Sequence, residues 1–110
     1  MRTVDQPVDG WKVQRISTHP GEVLREDFLA PLELSANQLA LRLRVPGTRV
    51  QEILHQRRAV SPDTALRLAR FFGTTPNFWL NLQQNHDLSK AQLEHGAEVD
   101  ESVQPLRRAS

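Results

Sequence analysis

The chain has 110 residues, 38% of them apolar and 25% charged, with a formal net charge of +1, the profile of one water-soluble domain with a modest core. It has no cysteine, which excludes disulfides and thiolate chemistry and fits a reducing cytoplasm, and no apolar run long enough for a signal peptide or a membrane span. Aromatic residues are 5% of the chain and none is tyrosine, which argues against an aromatic platform for stacking nucleic-acid bases.

Residues 1–18 show no sustained period and are read as an extended arm. His19-Pro20 then reads as a cap followed by proline at the first helical position, with Val23, Leu24, Phe28 and Leu29 at helical spacing and Pro31 as the stop. A second helix starts at Ser35, where Gln38 sits three residues on as in a capping box and Leu34 and Leu39 occupy the staple positions. Its apolar face is Leu39, Ala40 and Leu43. After Pro46-Gly47 a third helix is predicted from about Thr48 to Gln56. Ser61-Pro62 opens a fourth, with Ala65, Leu66, Leu68, Ala69 and Phe72 on its buried face and Gly73 as its left-handed stop. Thr75-Pro76 opens a fifth, carrying Phe78, Trp79, Leu80 and Leu82. Beyond Asp87 the apolar repeat is lost and the chain is expected to fray. The fold class is therefore all-α, a compact cluster of about five short helices: an arm at 1–18, a domain at 19–88 and a polar tail at 89–110.

The low net charge hides an asymmetry. Residues 35–72 carry Arg42, Arg44, Arg49, Arg57, Arg58, Arg67 and Arg70 against Glu52 and Asp63, a net of +5, while residues 1–34 and 86–110 are each −2. A basic middle made only of arginine suits an anionic partner, since guanidinium forks match phosphate and guanine.

The second and third helices also fill a helix-turn-helix frame starting at Ala36. The small residue needed at the crossing falls on Ala40, and the apolar positions fall on Leu39, Leu43, Val45, Val50 and Ile53. Arg44 occupies the turn position that often holds glycine, a departure from the frame; a non-glycine residue can still adopt the left-handed conformation there, at a cost of about 1 kcal/mol. The third helix is the candidate reader. At about 100° per residue, Val50, Ile53 and Leu54 are buried, Thr48, Glu52 and His55 point away from them, and Arg49, Gln51 and Gln56 flank. Arg49 suits guanine, Gln51 adenine, and Thr48 a phosphate or a thymine methyl. Glu52 is assigned a cytosine contact or the orientation of Arg49. Ser35 and Gln38, with Arg57 and Arg58, are assigned to the DNA backbone.

No other chemistry competes. His19, His55, His86 and His95 have no metal-ligand spacing, so no metal or cofactor is expected. His86-Asp87 has no nucleophile beside it and there is no phosphate loop, so the chain is read as a non-enzyme. Phe78, Trp79 and Leu82 have two readings, as core or as the seam of a homodimer whose paired readers match a palindromic operator. Within the arm, Trp11, Val13 and Ile16 are the candidate anchors for a basic protein partner.

The motifs HPGEVLREDFLAPLELSANQLA, VPGTRVQEIL and RRAVSPDTALRLARFFGTTPNFWLNLQ resemble those of the HigA-like antitoxins, the virulence-associated protein I group of the Xre-type helix-turn-helix proteins, from His19 to about Asp87. The resemblance implies a lambda-repressor-like fold and a cytoplasmic dimer that binds operator DNA and represses its own operon. It also implies neutralisation of a HigB-like toxin, a ribosome-dependent mRNA endonuclease. The family's recognition helix falls on Thr48, Arg49 and Gln51. The sequence departs from the family at His55-Gln56, where Asn-Gly is common and a longer helix becomes possible, and at His86, where an aromatic is common. A stand-alone repressor, or an interaction module with a vestigial helix-turn-helix, are the alternatives.

Overall fold

The computed structural model describes residues 15–107, so Trp11 and Val13 lie outside the described residues. Five helices form, and no strand occurs among the described residues. Helix α1 covers residues 20–32. His19 caps it, its Nδ1 accepting the Gly21 N–H at 2.9 Å, and Pro20 takes the first turn. Its middle, Leu24–Leu29, is wound as π-helix before α-geometry resumes at Ala30–Leu32. Pro31 accounts for this. It has no N–H to give, and its ring conflicts with the carbonyl four residues back, that of Asp27. The helix widens instead, and the Ala30 N–H reaches the Arg25 carbonyl five residues back. The expected stop at Pro31 is thereby corrected to Glu33, which turns left-handed at φ 52°.

Helix α2, Ala36–Leu43, starts with the full capping box. Ser35 Oγ accepts the Gln38 N–H at 3.1 Å and Gln38 Oε1 accepts the Ser35 N–H at 2.9 Å. It ends at Arg44, left-handed at φ 62° as its turn position requires, with the Val45 N–H returning to the Ala40 carbonyl at 3.1 Å.

Helix α3 is Gly47–Leu54 and does not reach Gln56. Gln56 itself goes left-handed at φ 61°, and the Arg57 N–H bonds back to the Glu52 carbonyl at 2.8 Å. His55-Gln56 thus makes the turn that Asn-Gly would make, with strain at Gln56 instead of a longer helix. Helix α4, Pro62–Phe72, is capped by Ser61 and stopped by Gly73 at φ 77°. Helix α5, Pro76–Ser102, opens with Thr75 Oγ1 accepting the Phe78 N–H at 3.1 Å.

The core gathers Leu24 and Leu29 of α1, Leu39, Ala40 and Leu43 of α2, Val50, Ile53 and Leu54 of α3, Ala65, Leu68 and Ala69 of α4, and Trp79 of α5. Each fully buried leucine or isoleucine contributes about 1.5–3 kcal/mol. Trp79 is 0% exposed and donates its Nε1–H to Thr74 Oγ1 at 2.8 Å. Phe28 packs on Phe72 and Trp79, with ring centroids 4.8 and 5.1 Å apart. Val60, in the α3–α4 loop, is buried too, and its N–H is taken by the buried Gln83 Oε1 at 2.8 Å. His86, in place of the family's aromatic, sets its ring edge-on against His19 at 4.8 Å.

These residues belong to one compact unit, Thr18–His86. The other comprises Met1–Ser17 and Asp87–Ser110, of which residues 15–17 and 87–107 are described. In it the Ser17 N–H donates to Ser89 Oγ at 2.8 Å. The expectation that the chain frays after Asp87 is corrected, since α5 runs on to Ser102. Leu88, Leu93 and Val99 there are exposed, so the repeat is absent because this stretch buries no stripe. A helix already nucleated upstream adds the Lys, Ala, Gln, Leu and Glu of this stretch at little cost and tolerates Gly96.

Gly21 has no room for a side chain: a Cβ there would collide with the Ile53 carbonyl oxygen. Gly21→Ala is expected to lower unfolding stability by about 1–3 kcal/mol, read as a fall in the urea midpoint at constant m-value. An unchanged midpoint would mean that the two backbones part at no cost. At Gln56, glycine relieves the left-handed strain and is expected to raise stability by up to about 1 kcal/mol, whereas Gln56→Val should lower it. The opposite order of midpoints would contradict the strained turn.

Candidate nucleic-acid interface

The outer surface of α3 is set by what lies beneath it. With Val50 and Ile53 at 2% and 1% exposure, helical geometry turns Thr48, Gln51 and His55 to solvent, and all three are exposed. The strip therefore presents a hydroxyl, a carboxamide and an imidazole. His55 Nδ1 lies 2.8 Å from the Gln51 carbonyl oxygen. A carbonyl only accepts, so Nδ1 is the donor of this bond and the Nε2 edge of the ring is turned to solvent.

Both ends of the helix-turn-helix pair are tied by arginines from other helices. Arg67 of α4 donates from Nη1 to the Leu43 carbonyl at 2.9 Å, at the C-terminus of α2. Arg25 of α1 donates from Nη1 to the Leu54 carbonyl at 3.3 Å, at the C-terminus of α3. Cations there satisfy carbonyls without helical partners and oppose the negative end of each helix dipole.

The two flanking arginines of the strip are each held by a carboxylate. Arg49 Nη1 donates to Asp63 Oδ2 at 3.0 Å, and Arg67 Nε donates to the same oxygen at 3.0 Å. The Arg67 hydrogen bond and then that of Arg49 hold the Asp63 carboxyl below its usual range, against an opposing desolvation effect, so it is ionised near neutral pH. Arg58 Nε donates to Glu52 Oε1 at 2.7 Å. The proposed orientation of Arg49 by Glu52 is therefore corrected. Asp63, from the first turn of α4, does that, while Glu52 holds Arg58. Arg57 is exposed and pairs with no carboxylate among the described residues.

At the start of α2 the capping box uses the Ser35 Oγ lone pair and Gln38 Oε1. The Ser35 hydroxyl hydrogen and the Gln38 Nε2 hydrogens are what these exposed side chains have left to donate. The structure thus brings Thr48, Gln51 and Glu52 onto one helix with His55 as its C-cap, and latches Arg49 and Arg58 at its sides. Trp79 is withdrawn from the dimer candidates: it is wholly buried within its own chain, whereas Phe78 is 39% exposed and Leu82 is half-buried against the core. Ile16 is exposed at 38%. Asp63, Arg67, Arg25 and Gln83 were not singled out from the sequence. Of their contacts only Asp63–Arg67, an i,i+4 pair, is visible in a linear chain. Among the described residues no group of three or more His, Asp or Glu could hold a metal ion, and no helix is long and apolar enough to cross a membrane.

The helix-turn-helix family model matches residues 24–79, from α1 to the first turns of α5. Virulence-associated protein I of Dichelobacter nodosus is 49% identical over 74 residues, covering 67% of this chain and 68% of that protein. Among solved structures, an addiction module antidote protein of the HigA family from Coxiella burnetii superposes with a TM-score of 0.79 at 47% identity, over 84% of this chain and 100% of that one. The Pseudomonas aeruginosa antitoxin HigA, solved with the higBA promoter, also gives 0.79, at 38% identity over 82% and 98% of the two chains. The match in sequence spans the same helices whose caps, crossing and reader strip are described above, and the chain belongs to the Xre-type helix-turn-helix family, among its HigA-like antitoxins.

Proposed function

We propose that this protein is a cytoplasmic antitoxin that binds operator DNA as a homodimer, represses its own operon and neutralises a HigB-like mRNA endonuclease. It acts by binding, without catalysis. The observation that carries the DNA reading is the exposed Thr48, Gln51 and His55 strip on a helix whose underside and C-terminus are both immobilised. The Pseudomonas HigA structure, which holds promoter DNA, supports it by likeness.

In this reading α3 enters the major groove. Gln51 offers a donor and an acceptor to adenine, Thr48 meets a phosphate or a thymine methyl, and His55 presents its Nε2 edge to a base. Arg57, free of carboxylates, and Arg58, on its Glu52 tether, lie beyond the helix and neutralise phosphate. Ser35 and Gln38 add backbone donors at the start of α2. Two copies on a twofold axis present two reader helices to two half-sites. Phe78 and Leu82 are the surface candidates that remain for the seam, and Trp11, Val13 and Ile16 those for the toxin.

Fluorescence anisotropy on DNA from upstream of the gene tests the reading. The Gln51→Ala variant is expected to lose about 5-fold to 150-fold in operator affinity, the value of one bidentate base contact, with little change on random duplex. Arg57→Ala should weaken all duplexes alike and flatten the salt dependence by about one unit of slope. A wild-type protein with no sequence preference would leave only the interaction module. Light scattering on dilution reads the dimer, and growth rescue on co-expression with a HigB-like toxin separates an antitoxin from a stand-alone repressor.

A further inference from the structure

Arg49 differs from the other arginines of the basic segment. It is the one with its side chain only 28% exposed that pairs across helices, and its partner is itself pinned. Asp63 Oδ2 receives Arg49 on one side and Arg67 Nε on the other, each at 3.0 Å, while Arg67 Nη1 reaches the Leu43 carbonyl at 2.9 Å. A continuous chain of charge-assisted hydrogen bonds therefore runs from the C-terminus of α2 through α4 to the flank of α3. It uses one of the five N–H donors of Arg49 and leaves the rest beside the Thr48–Gln51 strip.

An anion in this place works against indiscriminate DNA binding. Sequence-independent affinity comes from cations that neutralise phosphate, and residues 35–72 carry a net of +5. A free Arg49 on a flexible stem would join that pool. Held by Asp63, it can leave for a phosphate only by breaking a buttressed ion pair, yet it can meet a base edge from where it stands. We propose that Asp63 is a specificity-determining residue of the DNA interface: it positions Arg49 as a base reader and withholds it from phosphate. This rests on the DNA-binding reading above and adds to it the division between the latched Arg49 and the free Arg57. Specificity gained by suppressing the wrong contact is a general device of recognition.

The test uses the full chain and the duplex that the wild-type protein selects from a random-sequence pool, with an unselected duplex as reference. Asp63→Asn is expected to bind the unselected duplex more tightly, with a salt slope steeper by about one, and to lose about fivefold or more of its discrimination, the lower end of one base contact. Asp63→Glu keeps the charge but moves it, and should lose discrimination with an unchanged slope. In an Arg49→Gln background Asp63→Asn should change discrimination no further, because the effect passes through Arg49. A purely structural Asp63 would lower the melting temperature and change both affinities by one factor. That outcome, or additive effects of Arg49→Gln and Asp63→Asn on discrimination, overturns the proposal. Should Asp63→Asn not fold, Asp63→Glu with wild-type discrimination overturns it equally. Failure of the wild type to select any duplex would instead refute the DNA-binding reading itself.

Discussion

Ile53 is where the working surface of this protein is fixed. Its side chain, 1% exposed, packs inside the core, and its carbonyl lies so near the first turn of α1 that residue 21 has no room for a Cβ. Side chain and backbone of one residue thus fix α3 against the rest of the domain, in rotation about its axis and in height. The outward strip of Thr48, Gln51 and His55 follows from that placement, since a helix rotated by one residue would present a different set. The HPGE motif has the same physical origin: histidine caps, proline starts the helix, and glycine permits the approach.

Around this contact, electrostatics are spent locally. Arg25 and Arg67 close the C-termini of α3 and α2, and Asp63 and Glu52 each hold an arginine at the reader's edge. Exposed ion pairs such as Arg58–Glu52 are worth about 0–1 kcal/mol, so they are poor sources of stability. Their consequence is positional. They divide a basic segment that looks uniform in sequence into arginines that are held and arginines that are free.

The helix boundaries were legible where one or two adjacent residues decide them. Ser35 with Gln38, Ser61 with Pro62, and Gly73 act through hydrogen bonds and torsions within a turn, and each was readable as written. Two ends differ from the sequence pattern for reasons that are also local. Proline breaks an α-helix, which makes Pro31 a stop signal, but a π-turn absorbs it. The stretch after Asp87 lacks an apolar stripe, yet a stripe reports burial and not helicity.

The sequence by itself determined the five helices, the underside of the helix-turn-helix and the location of positive charge, because periodicity, capping chemistry and composition act over a few residues. Only the tertiary structure decided that Arg49 meets Asp63, that Trp79 is core, and that Gln83 serves the Val60 backbone. Those pairs lie 14 and 23 residues apart in the chain for Arg49–Asp63 and Gln83–Val60. At such separations no local rule selects a partner. The choice falls to the packing of α2 against both the reader and α4, which brings these groups within hydrogen-bonding distance and leaves others in water.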